Sequence, residues 1–345
     1  MKITTTTLIG AAIAFAVSTG ASVAQEVTLK YSSWLPVTHW LNEQQFQPWF
    51  KKIEEVTEGR VKVETLPKTV GTANSQFDVI SDGLADISFI VTSYSPGRFP
   101  LAGMGELPLL GSKPSESALI FETIYRENFM QANEFKGVEL LSIWNITPNQ
   151  VWNSRQPVTK LEDLAGMKLR APNDNVTQLL KSLGGVPINK PSSEAYELLS
   201  TGAIDGQITQ ADTIVAQNMV PLTKYGTVVP GGLTNATLAI IANPDAWNSI
   251  SEKDRKAIEE ITTYKLSDDV GTAYEERETS GTKVLKDAGY EIITADEEFV
   301  NNVREAAKPI EEAWIAAAKE KGIEDPAAVL AEFRARVQEA EKASN

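Results

Sequence analysis

Apolar and polar residues take turns from Val27 to Ser32 (VTLKYS), the period of a half-buried strand. Between Trp40 and Thr57 the period lengthens: Phe46, Trp49, Phe50 and Ile53 recur at helical spacing, and Gly59 ends the run. Alternation returns from Val61 to Leu66. Strand, helix and strand in this order are the unit of a parallel sheet. Residues 74–82 predict a further helix capped by Gly83, and the nearly unbroken apolar run after Asp86, ISFIV, predicts a strand covered on both faces.

The same grammar recurs downstream. In SDGLADISF a helix-ending Gly83 is followed three residues on by Asp86 and a strand; in STGAIDGQI Gly202 is followed by Asp205 and a strand. Each half also carries an earlier strand and helix, 27–57 in the first and 167–183 in the second, so two similar α/β lobes are expected. From Ser251 to Ala288 the chain is charge-rich and helical in pattern, with Gly271 and Gly281 as its interruptions. A continuous helix of that length reaches about 57 Å at 1.5 Å per residue, longer than one small lobe, so it must cross both. A strand at 290–294 and two polar-faced helices, 297–321 and 326–342, follow as an outer wrapping. No low-complexity linker separates the lobes, which implies that strands cross between them more than once.

Composition narrows the setting. The 345 residues are 42% hydrophobic and 23% charged, an ordinary globular balance with room for about two domain-sized units. Lys2, an apolar core from Leu8 to Val17 and the small residues Ser22-Val23-Ala24 before Gln25 have the layout of a secretory signal peptide, so residues 1–24 are expected to be removed on export to the periplasm of a Gram-negative cell. The absence of cysteine excludes disulfides, thiolate metal sites, thiol nucleophiles and a lipid anchor at the cleavage site. With 46 Asp plus Glu against 32 Lys plus Arg, net charge −14, no basic surface is available for nucleic acid.

Against that acidic background Arg170 stands out. It closes the apolar run Met167–Leu169 immediately before a turn at Pro172. In open parallel sheets, ligands bind outside the carboxyl ends of strands. Asn173 or Asp174 can cap the next helix, whose positive end would face the same region. A guanidinium fork suits a carboxylate, most strongly where water is excluded. Spacing alone leaves open a structural arginine paired with one of the many acids.

The segments LEDLAGMKLRAPN (161–173) and LGGVPINKPSSEAYELLSTGAIDGQ (183–207), with THWLNEQQFQPWFKKIEEVTEGRVKVETLP near the start and WNSRQPV at 152–158, resemble the solute-binding proteins of tripartite ATP-independent periplasmic (TRAP) transporters, in the dicarboxylate-binding-protein family. The resemblance implies a two-lobed α/β periplasmic binding protein fold, the venus flytrap, with a long lobe-spanning helix. Lobe 1 would take residues 25–147 plus about 236–275; lobe 2 would take 148–235 plus about 276–345, including the C-terminal helices. It also implies that Arg170 forms the salt bridge to a ligand carboxylate, that the small and large membrane subunits are the partners, and that the chain is a monomer with no cofactor and no metal.

Two positions depart from the family's common pattern. Many members have a second arginine where this chain has Asn149, and a Glu-Asn pair where it has Ile208-Thr209. A second carboxylate or a many-hydroxyl sugar acid would lack partners there, at about 1–3 kcal/mol for each buried polar group left unpaired. A monoanion with a substantial apolar or aromatic part is therefore expected. Trp34, Trp40, Tyr94, Trp144 and Trp152 lie in or beside segments expected to reach the cleft, and flat side chains suit such a ligand. A betaine-like zwitterion held by Arg170 and an aromatic cage is the alternative. His39 is placed to cap a helix or bond ligand, and Glu194, beside Tyr196, begins the helix before Gly202. The absence of cysteine, the single histidine and the absence of G-x-S-x-G, H-E-x-x-H and Walker motifs argue against an enzyme. A sensor that reports occupancy to a receptor is the other non-enzymatic possibility.

Overall fold

The computed structural model describes residues 26–344; the expected signal peptide lies outside the described residues. Eleven strands are described: β1 (Val27–Ser32), β2 (Val61–Thr65), β3 (Ile87–Val91), β4 (Glu139–Asn145), β5 (Gln150–Asn153), β6 (Lys168–Ala171), β7 (Val186–Asn189), β8 (Gly206–Thr209), β9 (Tyr225–Val228), β10 (Thr237–Ala242) and β11 (Glu291–Thr294). They form two sheets, β2-β1-β3-β10-β4 and β11-β9-β5-β8-β6-β7. The strand-helix-strand units at the start of each half build parallel ladders, β2-β1-β3 in one sheet and β7-β6-β8 in the other. One strand in each sheet breaks the rule: β10 runs antiparallel between β3 and β4, and β5 runs antiparallel between β8 and β9.

Those strands are where the chain changes lobes. Residues 146–149 lead from β4 to β5 and residues 229–236 lead back from β9 to β10. The two crossings run side by side: Asn149 N donates to Thr234 O at 2.8 Å, Leu233 N donates to Asn149 O at 3.1 Å, and Ile146 N donates to Ala236 O at 3.1 Å. A third crossing follows the long helix and ends in β11. The lobes are thus joined by a paired hinge, as the missing linker implied.

The expected 251–288 helix is present as two pieces, Glu252–Thr262 and Lys265–Asp287, parted at Tyr264, whose φ is 63°. Tyr264 N leaves the helical ladder and donates to the buried Glu122 carboxylate at 3.1 Å. Gly271 and Gly281 do not interrupt the longer piece. They are points of close approach: a Cβ on Gly271 would lie 2.5 Å from Pro114 O, and one on Gly281 would lie 2.8 Å from Asp212 N. Through these contacts the helix lies against Pro114–Asn128 of the first lobe and Ala211–Ala216 of the second.

The predicted 40–57 helix begins with a π-helical turn, Leu41–Phe46, before the α-helix Gln47–Val56. In that turn Asn42 is buried and ties down the preceding loop, donating to Pro36 O at 2.8 Å and Ser33 Oγ at 3.0 Å and accepting from Tyr31 OH at 3.0 Å. The C-terminal helices Glu297–Glu320 and Pro326–Ala343 wrap the outside. The first packs on Asp174–Ser182 of the second lobe and the second on Pro114–Asn128 of the first, so one apolar core cluster runs through both lobes. No helix among the described residues is long and apolar enough to cross a membrane.

Candidate ligand-binding site

The carboxyl ends of β1, β3, β6 and β8 and the paired hinge meet around one cavity between the lobes. Trp34 and His39 reach it from the loop after β1, Phe89, Val91 and Tyr94 from β3 and its end, Arg170 and Pro172 from the end of β6, Thr209, Gln210, Asp212 and Thr213 from the end of β8 and beyond, and Asn149 and Ala236 from the hinge. The cavity has a volume of about 70 Å³. At roughly 10–15 Å³ for each water, that is room for some five to seven.

Arg170 is 2% exposed, and its guanidinium is held by neutral oxygens. Nε donates to Lys190 O at 2.7 Å, Nη1 to Ile208 O at 3.3 Å, and Nη2 to the Tyr94 hydroxyl at 3.4 Å. No carboxylate forms an ion pair with it among the described residues, although acids outnumber bases in the chain. Burial pulls its pKa down, partly offset by Tyr94, yet an arginine stays charged in proteins. A buried cation without a counter-ion is costly.

The first lobe contributes an aromatic wall. The Trp34 ring stacks on Phe89 with centroids 5.0 Å apart and an interplanar angle of 29°, its Nε1 donates to Phe89 O at 3.2 Å, and Tyr94 meets it edge-on at 5.9 Å. Tyr94 also crosses to the second lobe, where its hydroxyl accepts from Ser192 N at 3.0 Å. On the other side Trp40 Nε1 donates to Asp212 Oδ2 at 2.9 Å. The lobes therefore touch on both flanks of the cavity.

Asp212 is the acid among the residues lining the cavity, and it is already paired. Arg277 Nε donates to its Oδ1 at 3.0 Å, and the same guanidinium lies 5.5 Å from the Trp40 ring. Burial raises the Asp212 pKa against the lowering effect of Arg277. His39 Nδ1 accepts from Leu41 N at 3.3 Å, the capping role expected of it. Burial first, and Arg277 second, lower its pKa to about 4, so it is neutral at pH 7.

Of the residues expected at the site, Arg170, Asn149, Thr209, Trp34, His39 and Tyr94 are brought together here. Trp144, Trp152 and Glu194 are not among the lining residues. Trp144 is fully buried in the core of the first sheet. Trp152 is fully buried in the second lobe, where its ring fills the space left by the absent side chain of Gly226 and its Nε1 donates to Thr209 O at 3.0 Å. Glu194 turns outward into an ion pair with Lys190 at 2.8 Å, and its neighbour Ser192 lines the cavity instead. Trp40 lines it as its position suggested. Phe89, Gln210, Asp212 and Tyr274 were not singled out from sequence. Gln210 and Asp212 follow the strand after Asp205, so the strand-end rule applied to Arg170 would have reached them; Phe89 inside ISFIV carries only the signature of a core strand.

Two lobes joined by paired crossing segments, with a cavity between them, are the architecture of a substrate-binding protein of the periplasmic type. The chain belongs to the bacterial extracellular solute-binding proteins, family 7, whose model matches residues 36–318. Its structure is similar to that of a TRAP periplasmic solute-binding protein from Bordetella bronchiseptica, solved with bound (R)-mandelate and (S)-mandelate, at a TM-score of 0.87 and 36% identity, covering 91% of this chain and 99% of that one. A marine metagenome TRAP solute-binding protein specific for aromatic acid ligands, solved with metahydroxyphenylacetate, matches at a TM-score of 0.84 and 26% identity over 91% of this chain and 99% of its own. In sequence the chain is 28% identical over 306 residues to the outer membrane transporter protein TsaT of Comamonas testosteroni, covering 88% of this chain and 90% of that protein. Such proteins bind small organic acids for transporters and are not enzymes.

Proposed function

We propose that this protein captures a small monocarboxylate with an aromatic part in the periplasm and hands it, in the closed form, to the small and large membrane subunits of a TRAP transporter. The carrying observation is Arg170, a buried guanidinium with neutral protein partners and a cavity before it. A carboxylate supplies the missing counter-charge, and lobe closure removes the water that would otherwise screen the pair. Trp34, Phe89 and Tyr94 give the ring a flat apolar surface, with His39 and Thr209 beside it. The mandelate and aromatic-acid ligands of the two structural relatives support the same reading. The Arg277 guanidinium lies 5.5 Å from the Trp40 ring, and a cation beside that ring disfavours a quaternary ammonium there.

The lobes assigned here are 25–147 with about 236–275, and 148–235 with about 276–345, acting as a monomer after loss of residues 1–24. A thermal-shift screen over aryl and aliphatic monocarboxylates tests the proposal. A ligand at 100 times its dissociation constant should add about 2.7 kcal/mol to the native state. Arg170→Ala should abolish the shift for every responding acid. A screen in which no monocarboxylate raises the melting temperature contradicts the proposal.

A further inference from the structure

Trp40 and Asp212 line the cavity from different lobes: Trp40 follows β1 of the first sheet, and Asp212 follows β8 of the second. Both are buried, and Trp40 Nε1 donates to Asp212 Oδ2 at 2.9 Å. The long helix Lys265–Asp287 holds each partner in place. Its Tyr274 meets the Trp40 ring edge-on at 4.9 Å; about one turn further, Arg277 Nε donates to Asp212 Oδ1 at 3.0 Å and the Glu278 carboxylate accepts from Asp212 N at 3.0 Å. With its backbone N–H and one carboxylate oxygen held from the helix, Asp212 turns the second oxygen to the indole. The result is a charge-assisted hydrogen bond between the lobes with protein at both ends. The other flank of the cavity is built differently. There the Tyr94 hydroxyl meets both Ser192 N and the Arg170 guanidinium, so that contact is tied to the carboxylate site.

We infer that Trp40 and Asp212 are a positioning pair, a latch that holds the closed form over any acid the cavity accepts and sets how long that acid is retained, not which acid is chosen. This rests on the reading of the cavity as a carboxylate site closed by the two lobes. Opening the cleft parts the two residues, so their bond forms after a ligand has met Arg170. Its loss therefore falls on dissociation and not on encounter. The latch also has nothing left to offer a ligand: Nε1 is the one polar atom of the indole, and both Asp212 oxygens are engaged. Losing the bond should then cost the same factor for a small acid and a larger one. A wall residue behaves otherwise, because its loss scales with the ring it touches.

Stopped-flow binding of benzoate, phenylacetate and mandelate to Trp40→Phe, which keeps a ring and removes the donor, tests this. For every probe that the wild type binds, dissociation should quicken by about ten- to a hundredfold, the range of a hydrogen bond to a charged group, with association no slower. The factor should agree among the probes to about twofold, as independent contacts do. Asp212→Asn leaves the indole a neutral partner, so Trp40→Phe should cost several-fold less in that background than in the wild type. Should Trp40→Phe fail to fold, Asp212→Asn alone carries the test, since it weakens the same bond and should quicken dissociation of each probe by one common factor. Unchanged dissociation, slowed association, factors that follow the size of the probe, or an equal cost of Trp40→Phe in both backgrounds overturns the inference and leaves the carboxylate reading intact. Binding of none of the three by the wild type contradicts the carboxylate reading and takes this inference with it.

Discussion

Burial sorts the arginines of this protein by task. Arg60, Arg126 and Arg277 each meet a carboxylate, on Asp254, Glu122 and Asp212 respectively. Arg170 is more buried than any of them and meets carbonyls and a phenol instead. Tyr94 then has a double duty, orienting the guanidinium and closing on Ser192 N. Tyr94→Phe is expected to weaken ligand binding by about tenfold, of the order of 1–2 kcal/mol, because Ser192 N loses its acceptor in the closed form. Titration calorimetry on the variant checks this; unchanged affinity would mean that Tyr94 is only wall. At this scale the sequence singled out Arg170, a cation ending an apolar strand in an acidic chain, while spacing alone left a structural ion pair equally open to it. It did not separate Trp34 from Trp144 and Trp152. All three sit in or beside strands, and which face a strand turns to the cleft depends on pairing partners far along the chain.

Among the elements, the long helix shows what pattern can and cannot report. Its amphipathic run predicted a lobe-spanning helix, and Lys265–Asp287 is one. The break at Tyr264 left no mark in the letters, because it is fixed by Glu122, more than a hundred residues earlier, taking the Tyr264 N–H. Conversely Gly271 and Gly281 looked like interruptions, whereas they let the helix approach backbone on each lobe. Gly281→Ala should force apart the helix and the backbone of Ala211-Asp212, with a loss of about 1–3 kcal/mol of stability in urea unfolding. Because Asp212 lines the cavity and receives Trp40, the same change should also weaken ligand binding; a variant as stable as the wild type would show that the two elements can slide past one another. The parallel ladders were readable from period and glycine placement. The antiparallel insertions of β5 and β10, which make the hinge, were not, since strand direction in a sheet is set by the route of the whole chain.

For the whole molecule, closure brings acids out of water, and pH should reveal it. Glu106 accepts from Asn173 Nδ2 at 2.9 Å and Thr92 Oγ1 at 3.2 Å, linking the first lobe to the helix start beside Arg170. Glu278 accepts from Ala211 N at 3.1 Å and Asp212 N at 3.0 Å, linking the long helix to the second lobe. Burial is the main cause that lifts each from 4.5 to about 7. Both fold with a proton they would release unfolded, so the stability they contribute is complete below about pH 4.5 and is lost as pH rises through 7. Unfolding free energy should therefore fall between pH 5 and pH 8, and Glu278→Gln should make the fall shallower whatever its effect on stability at one pH. A wild-type profile that is flat or rising over that range would contradict the placement of these carboxyls.

The central claim is that Arg170 is kept unpaired by the protein so that a ligand carboxylate can complete it. A crystal structure of the complex with an aryl acid such as mandelate tests this most directly. The account predicts both carboxylate oxygens within hydrogen-bonding distance of the Arg170 guanidinium, the ring against Trp34 and Phe89, and the Tyr94–Ser192 contact retained. A complex in which the carboxylate lies elsewhere while Arg170 stays bonded only to Lys190, Ile208 and Tyr94 would contradict it.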